Sequence, residues 1–451
     1  MHSLSRRSFL AASAAGLTLT QHPSAEQAPR PLPFGKPQPK PTKPAEVPPY
    51  RPSTLFLTWH RDPTTTMTVQ WVGPVGETPD TAIYYRPITS EFRAPLAAVV
   101  GNTQPSVFTG WGVRPTVAKP YHPTSDLKVF RAELTGLMPG TDYDFRIGQK
   151  SAPFRFKTMP AKATRAIQFV SGGDCGVNPH TIANNIQAAR QDPAFAVIGG
   201  DLAYDNGTSV ETNLAFLQNY SKHMVGRDGH LIPMIACLGN HEVAGGFSTK
   251  REKAPFFYAL FDGLYTDTGY ATLDFGDYLS LVLLDTGHTS KVEGDQTDWL
   301  ERELRARKEH PHVLVVTHVP AYPSARSMGT DKVAGTGSDQ RRHWVPLFEK
   351  YRVPVVLEHH DHTFKRTKPL IHGLADGDGV LYLGDGSWGQ IRPPQPAEKL
   401  HHLDRISQEY HLSLHRIQGQ ERYHLALDEN GRVMDICRTG QRSAGLTTSR
   451  L

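Results

Sequence analysis

Asp174, Asp201 with Tyr204, Asn240 with His241, His318, and His360 with His362 form five clusters of metal-ligand residue types in a chain of 451 residues. Each follows an apolar, β-branched run: Ile167-Gln168-Phe169-Val170, Phe195-Ala196-Val197-Ile198, Met234-Ile235-Ala236-Cys237, Val313-Leu314-Val315-Val316 and Val353-Pro354-Val355-Val356-Leu357. Such runs read as buried strands of a layered α/β fold, whose carboxyl ends are where sites assemble. The Asp201 carboxylate has two oxygens and can bridge two cations. The Tyr204 phenolate is a hard anionic donor suited to trivalent iron. Asn240 offers a neutral carbonyl oxygen, and His241 an imidazole that can point at a phosphate. His360 and His362 lie on one face of an extended segment, so each can serve a different metal of a pair. Together these donors suit a two-metal site that clamps a phosphoryl group.

The elements between the clusters fit that placement. Apolar residues recur at helical spacing over Thr181–Arg190, Glu211–His223 and Asp295–Lys308. Ahead of them, short alternating strands run from about Thr54 to Thr158. There Leu137-Met138-Pro139-Gly140 turns into a strand whose Tyr143 is placed to bond back to the corner. An antiparallel β-sandwich is expected, with a long loop over Arg114–Ser125. After Gln395 the pattern weakens into a polar stretch, a hairpin at Asp428-Glu429-Asn430-Gly431 and a disordered tail from Arg438. The expected division is 1–28 signal, 29–53 proline-rich linker, 54–160 front β-domain, 164–393 catalytic domain and 394–451 extension and tail.

Ser5-Arg6-Arg7-Ser8-Phe9-Leu10 before a short run of small and apolar residues reads as a twin-arginine export signal, which places the mature protein in the periplasm or outside the cell. No later run is long and apolar enough to span a bilayer, so no membrane span is expected after signal removal. The net charge of +5 is small and its basic residues are scattered, so no nucleic-acid partner is expected. Three cysteines, Cys175, Cys237 and Cys437, are too few for a disulfide framework.

The five clusters, taken in order with the front domain, resemble the purple acid phosphatase family of the metallophosphoesterase (calcineurin-like) superfamily, and the front domain resembles fibronectin type III. Most of that superfamily opens with Asp-x-His; here the stretch is Asp174-Cys175-Gly176, and Tyr204 is gained. The resemblance implies a β-sandwich followed by a four-layer α/β/β/α catalytic domain. It also implies a ferric ion on Asp174, Tyr204 and His362, a divalent iron, zinc or manganese on Asn240, His318 and His360, and Asp201 bridging them. His241 would be a catalytic outer-sphere residue. The implied activity is hydrolysis of phosphate monoesters by a metal-bound hydroxide, in the manner of acid phosphatases. A phosphodiesterase or alkaline phosphatase of the wider superfamily is the alternative, and a non-catalytic binding protein on the same scaffold a second one. Two departures stand out. His359 occupies the position of a usual glycine, and Ser324–Gly329 lacks a histidine often used near the leaving group, so no leaving-group acid is assigned.

Overall fold

The computed structural model describes residues 49–88, 111–330 and 332–440. The expected signal segment, most of the proline-rich linker and the last part of the tail lie outside the described residues.

The front domain is a sandwich of two four-stranded antiparallel sheets. One runs Phe56–Thr58, Met67–Gly73, Lys128–Leu134, Val117–Pro120, and the other Gly112–Arg114, Ile83–Pro87, Asp142–Ile147, Phe154–Lys157. Met67–Gly73 is buried at every position. Its Trp71 stacks on Phe130 with ring centroids 5.2 Å apart, while Gln70 Nε2 donates to Leu260 O at 3.0 Å. One sheet thus has both faces covered, by its sandwich partner and by the domain that follows. The Tyr143 corner forms as expected, with Met138 N donating to the phenol oxygen at 2.8 Å. The long loop expected over Arg114–Ser125 is corrected, because Val117–Pro120 is an edge strand. Its side chains are largely exposed, so burial imposes no apolar alternation on them.

The second domain is built on two mixed sheets. The first has the order Met234–Ala236, Ala196–Ile198, Ile167–Gly172, His411–Gln418, Glu421–Asp428, Val433–Thr439. The second has the order Ala271–Phe275, Leu279–Leu283, His312–Thr317, Val355–Glu358, Leu381–Asp385, Phe364–Thr367, Leu403–Ser407. Strand periodicity sends alternate side chains to opposite faces. Leu281, Leu283, Leu314, Val316, Val355 and Leu357 join the core containing Phe169 and Val170 of the first sheet. Val282, Leu284, Val315 and Val356 instead pack with Leu300 and Leu304 of the helix Asp295–Ala306, with Phe348 of the helix Val345–Lys350 and with Trp344, which caps the latter. With the helices Pro179–Arg190 and Val210–His223 beyond the first sheet, the layers are α/β/β/α. Burying each such aliphatic side chain contributes about 1.5–3 kcal/mol, so these layers hold the strand ends rigidly.

The weak pattern expected after Gln395 is also corrected. His411–Gln418 pairs antiparallel with Ile167–Gly172, at the centre of the first sheet. Its signal was faint because His411, Ser413 and His415 are buried polar residues at positions where an apolar residue would be expected. His415 Nε2 lies 2.7 Å from Ser171 Oγ. The hairpin at Asp428–Gly431 is present, with Gly431 at φ 86° and Asn430 N donating to Asp428 Oδ1 at 3.0 Å. Arg438 and Thr439, expected in the tail, are the end of a paired strand.

Candidate metal centre

The five loops converge at the carboxyl ends of the strands, and their backbones take an uncommon form. Asp174, Asp201, Tyr204, His360 and His362 all adopt positive φ, between 54° and 67°. Non-glycine residues rarely occupy this region, and such strain persists only where the surrounding structure enforces it. Part of that enforcement comes from Glu242. Its carboxylate accepts from Gly239 N at 2.7 Å, Asp201 N at 2.8 Å and Leu202 N at 2.7 Å, tying the Asp201 and Asn240 loops together.

Two groups of donor atoms result. In the first, Asp174 Oδ1 lies 3.3 Å from the Tyr204 hydroxyl and 3.0 Å from His362 Nε2, and Tyr204 is 3.1 Å from His362 Nε2. In the second, His318 Nε2 lies 3.1 Å from Asn240 Oδ1, 3.1 Å from His360 Nδ1 and 3.3 Å from Asp201 Oδ2. Separations of about 3 Å are those of adjacent donors around one cation with ligand distances near 2.1 Å. Ligand atoms of Asp174, Asp201, His318 and His360 all lie within 4.8 Å of one another, so the two groups adjoin at Asp201.

Several features fit this set to a pair of cations. Asp201 Oδ1 accepts from His241 N at 2.8 Å, while Asp201 Oδ2 is buried, makes no well-aligned hydrogen bond and has His318 Nε2 3.3 Å away. A buried carboxylate oxygen is costly unless a positive charge meets it, either the imidazolium of His318 or a metal ion that displaces its proton. Burial and the charges of Asp174 and Asp201 push the Tyr204 phenol far above its ordinary range, so only a strongly charged cation would hold it as phenolate. Burial lowers the affinity of His318 for a proton, but the Asp201 and Asp174 charges outweigh it and raise its pKa to about 9. His318 Nδ1 is 3.0 Å from Gly199 O, a contact that fixes the tautomer and leaves Nε2 for the cluster. Burial and the neighbouring His318 hold His360 well below the usual imidazole range.

His241 stands beside the donors. Its Nδ1 lies 2.6 Å from Asn206 Oδ1, and its ring is 4.2 Å from that of Tyr204. All eight residues singled out by sequence therefore meet in one place.

Four supporting residues escaped sequence reading. Glu242 directly follows the Asn240-His241 pair, but nothing in the sequence shows its three amide partners. Asp361, between two candidate ligands, accepts from Ala325 N at 2.9 Å and Ser324 Oγ at 3.1 Å and so pins the loop after His318. From that loop Arg326 Nη1 donates to His360 O and, at 3.0 Å, to Asp361 Oδ1. His288, fully buried, has its ring 5.6 Å from that of His318. The run Leu279–Leu283 followed by Asp285-Thr286-Gly287-His288 repeats the pattern of an apolar strand ending in polar residues, and that signal could have found it.

The strand ends at which the two mixed sheets bring together oxygen and imidazole donors lie in the part of the chain, residues 172–364, that the calcineurin-like phosphoesterase family model matches. The purple acid phosphatase N-terminal domain matches residues 52–158. These two matches and the relatives below support the purple acid phosphatase family of the calcineurin-like superfamily. It is 27% identical over 268 residues to purple acid phosphatase 21 of Arabidopsis thaliana, covering 57% of this chain and 58% of that relative. It is 25% identical over 259 residues to acid phosphatase type 7 of Homo sapiens, covering 54% and 58%. The chain thus spans less than two thirds of the length of either relative. Among solved structures, a purple acid phosphatase from yellow lupin seeds superposes with a TM-score of 0.65 at 14% identity, over 86% of this chain and 74% of that one. PhoD superposes with a TM-score of 0.60 at 12% identity, over 88% and 94%. At these identities the structural likeness is one of fold.

Proposed function

We propose that the chain is an exported phosphatase that hydrolyses phosphate monoesters at a dinuclear centre. Asp174, Tyr204 and His362 would hold Fe(III), and Asn240, His318 and His360 a divalent iron, zinc or manganese, with Asp201 shared between them. The observation that carries this reading is the pair of three-donor groups adjoining at the buried Asp201 carboxylate. Such a centre, when filled, activates water and offsets phosphoryl charge. His241 donates its Nδ1–H to Asn206 Oδ1, so its Nε2 would hydrogen-bond a phosphoryl oxygen and offset its charge only as the imidazolium, a form that burial opposes and that a bound phosphate dianion would favour, without binding metal. Arg326 brings a fixed cation to the backbone of His360, in the loop where a histidine was expected.

Monoester specificity is supported by the relatives named acid phosphatases, and export by the Arg6-Arg7 segment, whose product would be periplasmic or extracellular. Residues 54–160 would act as the front domain and 164–393 as the catalytic domain, with strands from 403–439 completing both of its sheets.

The test is a visible spectrum and metal content of the metal-replete protein beside Tyr204→Phe, followed by hydrolysis of p-nitrophenyl phosphate and bis-p-nitrophenyl phosphate. A broad visible band lost on substitution, two metals per chain and preference for the monoester at acidic pH are expected. Two metals without that band or iron, together with diester preference at alkaline pH, would overturn the ferric monoesterase reading.

A further inference from the structure

The front domain touches the candidate site through a buried polar chain. Tyr121, 1% exposed, follows the Val117–Pro120 strand, and its hydroxyl donates to Asn213 Oδ1 on the Val210–His223 helix. Asn213 Nδ2 donates to Asp205 Oδ2 at 2.7 Å, and Asp205 Oδ1 accepts from Gly207 N at 2.7 Å. Beside it, Thr124 N donates to His122 Nδ1 at 3.2 Å, which leaves the proton on Nε2, 3.4 Å from Gly207 O. The His122 ring is braced by Phe256, with centroids 4.4 Å apart.

The 205–209 turn gripped in this way directly follows Tyr204 and carries Asn206. Asn206 N donates to His241 O at 2.9 Å, and Asn206 Oδ1 lies 2.6 Å from His241 Nδ1. A continuous path therefore runs from Tyr121 through Asn213, Asp205 and Asn206 to His241.

Docking of the two domains does not need this path. Arg131 Nη2 donates to Ala259 O at 2.7 Å and Leu260 O at 2.8 Å, and Lys119 pairs with Asp262 at 2.7 Å. Those contacts hold the segment around the Pro255–Phe261 helix, whose Phe256 also packs on the rings of Tyr121 and His122, and none of them is made to the 205–209 turn. Burying a tyrosine hydroxyl, an amide and a carboxylate is costly compared with apolar packing, and the expense is explained if their geometry is used.

We propose that the front β-domain positions the His241 imidazole for the phosphoryl group, with Tyr121 and Asn213 as positioning residues acting through the 205–209 turn. The activity readout rests on the phosphoesterase reading above; the exchange readout does not.

The test compares wild type, Tyr121→Phe, His241→Ala and the double variant in the full, metal-loaded chain. It measures metal content, kcat and KM on p-nitrophenyl phosphate, and amide exchange at Asn206 and Gly207. Tyr121→Phe is expected to keep both metals, to lower kcat about tenfold with KM within about twofold, and to speed exchange at both amides about tenfold, leaving core strands unchanged. With His241 already replaced, Tyr121→Phe should lower kcat no further. Independent, multiplying losses of kcat, or unchanged exchange at the two amides, would overturn the proposal. If the wild type hydrolyses no phosphate ester, the phosphoesterase reading fails on its own, and the exchange comparison alone decides this one. If Tyr121→Phe does not fold, Asn213→Ala, which breaks the same path one step later, takes its place with the same expected outcomes.

Discussion

The imidazole of His359 lies across Gly199: a Cβ built on that glycine would stand 1.9 Å from His359 Cε1, and one on Gly173 would stand 2.8 Å from Cδ2. His359 is buried, with Nδ1 2.7 Å from Thr317 O and its backbone N donating to His318 O at 3.0 Å. The side chain that replaces the family's glycine therefore fills the space between the Asp174 and Asp201 loops and braces them from below. Gly199→Ala should lose metal binding and at least about 1–3 kcal/mol of stability, since an added methyl in a filled site forces displacement. Adding His359→Gly to it should recover most of both. Chemical denaturation and metal content check this; wild-type behaviour from Gly199→Ala alone would contradict the packing.

Glu242 is the next point of leverage. Its two oxygens accept three backbone amides from two ligand loops, so Glu242→Gln turns an amide NH2 toward an N–H that had an acceptor. An unsatisfied buried donor costs about 1–3 kcal/mol. Because the lost contact fixes Asp201, metal affinity should also fall, by roughly 10–100-fold. Chelator competition measures that fall. Reduced stability with unchanged metal affinity would confine Glu242 to the fold.

Asp361→Asn tests the loop that follows His318. The carboxylate now accepts from Ala325 N and Ser324 Oγ and receives Arg326 Nη1, and an amide cannot meet all of these donors. The loop should loosen and Arg326 should leave the backbone of His360. A fall in kcat/KM of about tenfold or more with metal content retained is the expected outcome, read by steady-state kinetics beside metal analysis.

What was legible in the sequence follows from burial. Strands such as His312–Thr317, buried along their whole length, must be apolar, and their ends then expose the few polar residues that matter. All eight candidate site residues stand at or just after such ends. The central strand His411–Gln418 was not legible, because its buried positions carry histidine and serine that satisfy one another only in three dimensions. Glu242 and Asp361 were missed for a related reason. Their partners are backbone amides tens of residues away, and an amide leaves no mark on sequence.

Buried and half-buried histidines away from the centre oppose folding at acid pH. Burial, and then the charge of Arg131, lowers His60 to about 4, although Glu133 and Asp262 oppose the shift. His312 is lowered to about 4 by burial and Arg422, and His402 to about 4 by burial and Lys365. In the unfolded chain each would titrate near 6.5, so between these values the unfolded state binds more protons than the folded one. Stability from these groups is therefore fully present above pH 6.5 and is lost as pH falls through about 4. His60 is the cleanest probe, because its Nε2 has no hydrogen-bond partner and its ring fits against Gly263. His60→Leu should flatten the fall of stability between pH 6.5 and 4.5 by at most about 1.4 kcal/mol per pH unit, the limit for one proton. Urea unfolding at several pH values measures the slope, and an unchanged slope in the variant would assign the acid sensitivity elsewhere. If the chain hydrolyses phosphate esters on the acid side as proposed, it would then lose activity at its lower pH limit through unfolding as well as through the chemistry of its site, and the His60 variant should hold activity longer at pH 4.5 without a change in KM.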